Sequence, residues 1–190
     1  MPSGEGGAAY VVFSDQIADA VSGGASEAQV QILRDARDAG ALTLEQTKAA
    51  VADTFACFDA SGMSHSGIGA VTQEGLERVT YTYATIPGLG DEASLAIADA
   101  CMNTNSYYVE MVFVMQPISR EITNRYFTEN VRTRLIPCLR SIGVAVDDDS
   151  TNDEVWRIAT ETMAEISAPY AGGELPGRPE GCLPDVFAHF

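Results

Sequence analysis

Lysine is almost absent from this chain, and basic side chains are few altogether. Lys48 is the single lysine among 11 basic residues, which face 27 acidic ones, so the formal net charge is −16. A field of that sign repels nucleic-acid phosphates and anionic lipid headgroups. The composition therefore argues against nucleic-acid binding and against membrane attachment through basic residues, and it favours cationic partners.

Long apolar runs are missing as well. The most apolar stretch, residues 95–115, is interrupted by aspartate, asparagine and glutamate, so the sequence predicts no transmembrane segment. The first 20 residues contain neither the charged segment nor the long apolar segment of a secretory signal.

Closely spaced metal or redox ligands are also lacking. A structural zinc site usually has paired ligands about two to four residues apart, and a thioredoxin-like site requires C-x-x-C. The chain has four cysteines without such a pair and only two histidines. We therefore predict no metal site of this kind and no cofactor.

The remaining interpretation of the cysteines is two disulfides. Four cysteines allow three connectivities, and we predict the sequential one, Cys57–Cys101 and Cys138–Cys182, each spanning 44 positions. Each bridge would contribute about 4 kcal/mol in the chain-entropy relation before strain. Disulfides indicate an oxidising compartment. The alternative is four buried free thiols in a cytosolic protein.

The local sequence around two cysteines recurs. ACFDASGM (56–63) and PCLRSIGV (137–144) both place a bulky apolar residue after cysteine and then, after three residues, glycine and another apolar residue. Segments 44–62 and 125–143 are therefore candidates for a degenerate duplication. A chance similarity is the alternative.

Helix signals dominate the rest of the chain. SEAQ (26–29), TLEQ (43–46) and TNDE (151–154) are capping boxes that each open a predicted helix. Residues 90–116 predict one long helix that ends before Pro117. Residues 119–136 predict another, which Pro137 kinks or restarts.

Two further segments complete the prediction. VTYTY (79–83) alternates as a strand does, and we pair it with residues 68–72 in a hairpin that turns at QEG. Residues 10–24 fit either a short strand or a docking helix.

These signals predict a mainly α fold. We expect an N-terminal extension (1–25) and a single helical domain (26–190) with a small β-hairpin and an irregular, Pro- and Gly-rich C-terminal tail from residue 167. Two disulfides would cross-link the domain.

GMSHSG (62–67) partly matches the Gly-x-Ser-x-Gly pattern of a hydrolase nucleophile. The fifth position is Ser66 rather than glycine, and the segment follows a helix, whereas a nucleophile elbow follows a strand. A small serine hydrolase that uses Ser64 or Ser66 with His65 is our third hypothesis. A polar loop is the simpler interpretation, and we assign no catalytic residue.

The acidic run VDDDSTNDE (146–154) has the ligand type that calcium prefers. Counted from Asp147, the sixth position is Asn152 and the twelfth is Ile158, where an EF-hand loop requires glycine and glutamate. We favour a helix N-terminus whose acidic side chains complement the helix dipole.

Arginines concentrate between residues 119 and 140. They form a candidate surface for an acidic protein partner or for a second copy of the chain. The candidate residues are Arg120, Arg125, Arg132 and Arg134. Glu121 and Glu129 lie four residues before and after Arg125, so a solvated face with ion pairs is the alternative.

The apolar segment NSYYVEMVFVM (105–115) could line a ligand pocket. Core packing is the interpretation that we favour, and we expect Trp156, the single tryptophan, to pack with it.

The order of these segments has a counterpart. A helix ending CFDASGM, a VTYTY strand, the segment DACMNTNSYYVEMVFVMQ and a helix ending CLRSIGV follow one another. In this cysteine spacing, over about residues 26–182, the chain resembles a loose group of exported or lipid-anchored actinobacterial proteins of unknown function. The resemblance implies an extracellular or cell-envelope location and carries over no functional residue. The chain departs from the group in showing no signal peptide and no lipobox cysteine.

We therefore expect an exported, non-enzymatic binding or structural module at the cell surface, which contacts a protein partner or associates with itself. The second hypothesis is a subunit of a larger cellular or viral assembly, for which the apolar end DVFAHF (185–190) would suit contact with neighbours.

Overall fold

The computed structural model describes the backbone of residues 5–167 and the side chains of residues 13–165. Within that range the chain is mainly helical with one small antiparallel hairpin, which confirms the predicted fold class. The predicted irregular tail lies outside the described residues, except for its first residue. Among residues 5–167, no helical segment combines the length and the apolar character that a bilayer-spanning helix requires.

The elements follow one another along the chain as nine stretches of helix and two strands, counted within residues 5–167. They are α1 (Glu5–Ser22), α2 (Glu27–Ala39), α3 (Leu44–Ala60), β1 (Gly69–Gln73), β2 (Leu76–Thr80), α4 (Asp91–Asn105), α5 (Tyr107–Met115), α6 (Pro117–Tyr126), a π-helical turn (Phe127–Val131), α7 (Arg132–Ser141) and α8 (Asn152–Ser167). The chain forms two compact units, Met1–Glu121 and Ile122–Phe190.

In the first unit, α1 is the element that the sequence left open between a strand and a helix. It packs against α2 and α5. The chain leaves α1 through Gly23, where a Cβ atom would collide with the Tyr108 hydroxyl. Glycine at this position thus allows the close approach of α1 and α5.

Local capping signals fix the ends of α2 and α3. Thr43 and Gln46 form a complete capping box at the start of α3, as predicted. At the start of α2, the Ser26 hydroxyl accepts the Gln29 amide at 3.2 Å. The second half of the predicted box is wrong, however, because the Gln29 side chain turns into the protein.

Gln29 explains why residues 90–116 are two helices instead of the single predicted one. Its side chain is 1% exposed and lies where α4 ends and α5 begins. Nε2 donates to the carbonyls of Asn103 (3.0 Å) and Thr104 (2.8 Å), while Oε1 accepts the Tyr108 amide (2.7 Å). One amide side chain thereby satisfies backbone groups that a helix break would leave unpaired.

The hairpin forms where the alternating pattern predicts it. β1 and β2 pair antiparallel with Gln73 opposite Leu76, and the two-residue turn is Glu74–Gly75. Both turn residues have positive φ (52° and 75°), as a type I′ turn requires. The predicted hairpin is confirmed, although β2 begins three residues before VTYTY and ends at Thr80.

In the second unit, the prediction for residues 119–136 needs one correction. Pro137 does not restart a helix, because α7 runs through it from Arg132 to Ser141. The helical regularity changes earlier, at the π-helical turn, where the Arg132 amide bonds the Phe127 carbonyl.

The core of this unit joins α7 to α8. The buried side chains of Leu135, Leu139, Val155 and Ala159 belong to one cluster. Trp156 packs against this cluster and lies edge-on to Phe127 with ring centroids 5.8 Å apart; its expected packing with residues 105–115 stays a prediction. The third predicted capping box is confirmed, since Thr151 and Glu154 exchange both hydrogen bonds.

Candidate functional site

A disulfide joins α3 to α4. Cys57 lies in the last turn of α3 and Cys101 in α4, with Cα atoms 5.7 Å apart. Cys101 is 2% exposed and belongs to a core cluster with Phe55 and Phe58. This pairing confirms the first predicted disulfide.

Only one cysteine of the second predicted pairing lies among the described residues. Cys138 is buried in the α7–α8 core. Cys182 lies outside the described residues, so Cys138–Cys182 stays a prediction. Cys57 and Cys138 do share a local setting, since each lies near a helix end and precedes a glycine of positive φ, Gly62 (75°) or Gly143 (87°).

The polar loop around His65 gives the histidine structural contacts. Nδ1 lies 2.7 Å from the Ser66 carbonyl and Nε2 lies 3.2 Å from an Asp59 carboxylate oxygen. The imidazole also stacks on Phe55, with ring centroids 3.8 Å apart. Both ring nitrogens thus face acceptors.

The serine hydroxyl of this loop has other partners. Ser66 Oγ donates to the Gly67 carbonyl (3.1 Å) and accepts the Thr82 amide (2.9 Å). The Ser66 amide donates to the Thr82 carbonyl, and the Ala84 amide donates to the Ser64 carbonyl. These two bonds also attach the loop to the segment after β2. The geometry is that of a loop fixed to the chain after β2, and it supplies no nucleophile–base contact of the kind that a serine hydrolase uses.

The four candidate arginines differ in their contacts within the chain. Arg132 turns onto its own chain, where it donates to the carbonyls of Ser150 (2.6 Å) and Asp148 (2.7 Å). Arg140 holds the same loop through the Val146 carbonyl and the Asp148 carboxylate. These two side chains thus fix the acidic segment before α8.

The other candidates are exposed. Arg125 and Arg134 point to solvent, and neither pairs with a carboxylate among residues 13–165, so the predicted i, i+4 pairs of Arg125 do not form. Arg120, also exposed, has a partner within the chain.

The acidic segment 146–154 carries no metal-site geometry. In the part of the chain that the structure describes, no three histidine, cysteine, aspartate or glutamate side chains converge as metal ligands. Arginine fixes this loop instead, because Arg132 bonds its backbone carbonyls and Arg140 pairs with the Asp148 carboxylate.

A chain of polar side chains that includes a carboxyl lies between α3, α5 and the segment after β2. The Tyr81 hydroxyl donates to Glu110 Oε1 at 3.2 Å. Thr54 donates to the Ser106 hydroxyl at 2.8 Å, and both of these residues are 0% exposed. The Ser106 hydroxyl in turn acts on the Glu110 carboxyl, whose pKa it lowers. We call Thr54, Ser106, Glu110 and Tyr81 the polar chain.

Burial dominates the electrostatics of the polar chain. It raises the pKa of the Glu110 carboxyl above the ordinary value of 4.5, while the hydrogen bonds from Ser106 and Tyr81 oppose the shift. Burial and the neighbouring carboxylate also raise the pKa of Tyr81. Burial therefore extends the pH range over which each group stays neutral, because an ionised group loses hydration here and no cation is its ion-pair partner among the described residues.

Sequence reasoning did not identify the polar chain. Glu110 appeared only as an interruption of an apolar stretch, and Tyr81 as an alternating strand residue. A single carboxylate inside the helix YYVEMVFVM was the available signal. Two distant segments, α3 with Thr54 and the chain after β2 with Tyr81, supply the rest of the polar chain, so the pairing could not be derived from spacing.

The surrounding helix α5 is only partly core. Val109, Val112 and Phe113 are buried, as expected for this segment, whereas Tyr107 and Met115 are 47% and 40% exposed.

Comparison of the chain with protein-family models, with curated proteins and with solved structures finds no match.

Proposed function

We propose that the protein is an exported, non-enzymatic binding or structural module that acts at the cell surface or in the extracellular space. The observation that carries this proposal is the Cys57–Cys101 disulfide in the core of the first unit. Disulfides persist in oxidising environments and are rare in the reducing cytosol of most cells. The cysteine-spacing resemblance to exported actinobacterial proteins supports the same compartment.

The charge of the chain supports a cationic partner. The sequence up to residue 121 holds 16 acidic and 5 basic side chains, so the field around the first unit attracts positive surfaces. The candidate arginines fit an acidic partner less well, because Arg132 is committed to its own loop. Arg125 and Arg134 remain the exposed candidates for such a contact.

The proposal is tested in cells that make the protein. Intact cells are treated with a membrane-impermeant amine label, and the protein is then recovered and its labelled fraction measured. We expect labelling at Lys48, which is accessible at the surface of the chain, while a cytosolic control protein stays unlabelled. A protein labelled only after cell lysis would contradict export.

A second candidate function, a subunit of a larger assembly, has an observation in its favour. Tyr107, Met115 and Ile118 expose 40–55% of their surface at the two ends of α5 and the start of α6, and such apolar groups can be covered by neighbours. The molar mass in solution, measured by light scattering after size exclusion, tests this candidate. A monomeric mass across concentrations would contradict self-assembly, and a discrete oligomer would support it.

A further inference from the structure

The hairpin segment covers the disulfide-containing core. Val79, Tyr81 and Tyr83 pack onto the cluster that contains Phe55 and Cys101. Tyr81 meets Phe55 edge-on, with ring centroids 5.4 Å apart. The segment around β2 is therefore a cover for apolar groups that would otherwise meet water.

Glu110 is the ionisable group that links this cover to the helices. It belongs to α5, and its carboxyl accepts the Tyr81 hydroxyl of the segment after β2. From the other side it is held by Ser106, which in turn is held by Thr54 of α3. Opening the cover would break the Tyr81 bond and bring the carboxyl into water.

We propose that protonation of Glu110 controls how often the hairpin segment opens, and that ionisation of this carboxyl favours the open form, in which the buried Cys101 side of the disulfide becomes accessible to solvent. A neutral carboxyl tolerates the half-buried position between α5 and Tyr81. An ionised carboxyl gains hydration when the cover leaves, so the open form binds fewer protons than the closed form.

The neighbouring groups do not replace Glu110 in this role. The segment after β2 contributes Tyr81 and, beyond it, Tyr83, and both are phenols. α3 and the α4–α5 junction contribute the hydroxyls of Thr54 and Ser106. α1, α2 and α4 also pack against α5, and no charged group of theirs that the structure describes perturbs Glu110.

His65 is another ionisable side chain on this cover, in the loop that is bonded to the segment after β2. It contacts Phe55 rather than the carboxyl, and it faces Asp59. A variant that removes only the Glu110 charge therefore separates the two contributions.

The sign of the effect follows from linkage. Because the pKa of Glu110 is raised above 4.5 in the closed form, the closed form keeps a proton that the open form releases. Raising the pH through this window favours opening, by up to about tenfold in the opening equilibrium per pH unit. Below the ordinary value both forms are protonated, and above the raised pKa of the closed form both are ionised, so the dependence is confined to the interval between these two pKa values.

The test is amide hydrogen exchange of residues 76–84 as a function of pH, corrected for the intrinsic exchange rate. The wild-type chain is compared with Glu110→Gln, which keeps the shape and removes the charge. Glu77→Gln is the matched control, because Glu77 is an exposed carboxylate on β2 itself.

We expect corrected protection in the wild type and in Glu77→Gln to fall with pH above 4.5, by up to about tenfold per unit, and protection in Glu110→Gln to be flat. Equal pH slopes in the wild type and Glu110→Gln would overturn the proposal.

A second variant gives an independent answer. Tyr81→Phe removes a hydrogen bond that favours the ionised carboxyl, so the pH-dependent window should move upward. The rate at which a phosphine reductant cleaves the disulfide, measured at one pH near neutrality, should be lower in Glu110→Gln than in the wild type. An unchanged or higher reduction rate would contradict the claim about access.

Discussion

Removing the disulfide should destabilise the first unit mainly by raising the conformational entropy of the unfolded chain, and less by loosening the packing of the folded core. The perturbation is the double substitution Cys57→Ala with Cys101→Ala. The bridge closes a sequence separation of 44 residues, and the chain-entropy relation gives about 4 kcal/mol for a loop of this length. Loss of the two sulfur atoms from the cluster adds about 1 kcal/mol or less for each.

The assay is urea unfolding, followed by far-ultraviolet circular dichroism. We expect the free energy of unfolding to fall by about 4–6 kcal/mol and the dependence on urea, the m-value, to rise. The m-value should rise because an unfolded chain without the cross-link is more expanded and exposes more surface. A rise in m is the signature that distinguishes a lost cross-link from lost packing.

Val51→Ala is the matched packing control. Val51 is 0% exposed in the same cluster, and its truncation should cost about 2 kcal/mol without a change in m. The entropic account would be refuted if the double cysteine variant lost less than about 1 kcal/mol, or if its m-value matched that of Val51→Ala.

Three further predictions concern polar side chains. Gln29→Ala should lower the free energy of unfolding by about 2–4 kcal/mol, because buried backbone groups at the α4–α5 junction lose their partners. The control Gln31→Ala, on the exposed face of α2, should change it by less than about 0.5 kcal/mol. Similar losses in the two variants would argue against the role of Gln29 at the junction. Arg132→Met should speed hydrogen exchange in residues 146–152 and cost about 1–2 kcal/mol, while Arg157→Met, which breaks an exposed pair with Glu161, should cost less than about 0.5 kcal/mol. The unfolding free energy of the wild type should decline relative to Glu110→Gln as pH rises above 4.5, because the folded carboxyl holds its proton longer than the unfolded one; a gap between the two that does not vary with pH would contradict the pKa direction.

Local chemistry decided which elements could be predicted. The capping-box hydrogen bonds of Thr43 with Gln46 and of Thr151 with Glu154 form within four residues, so the sequence predicts where these helices begin. The hairpin is legible for the same reason, since Glu74–Gly75 and the flanking alternation are contiguous.

Long-range contacts decided what could not be predicted. The break at Ser106 depends on Gln29, which is 77 positions away, and that glutamine resembles an ordinary capping residue in sequence. The role of Arg132 depends likewise on a loop that begins 14 positions later. The sequence predicts neither contact, because each of these side chains can make several local contacts and only tertiary packing determines which one forms.

The candidate site was predictable only in part. The Cys57–Cys101 bridge followed from the spacing of four cysteines, and the structure confirms it. The contact between Glu110 and Tyr81 was not predicted, because it depends on the tertiary packing of α3, α5 and the hairpin segment.

The central claim, an exported protein cross-linked by disulfide, is tested most directly by the redox state of its cysteines in the cells that produce it. Thiols are blocked during lysis under denaturing conditions, and the intact mass is measured before and after reduction. We predict that Cys57 and Cys101 escape the first block and become alkylatable only after reduction. If both were blocked at lysis, the bridge would not exist in the cell, and the proposal of export would lose its foundation.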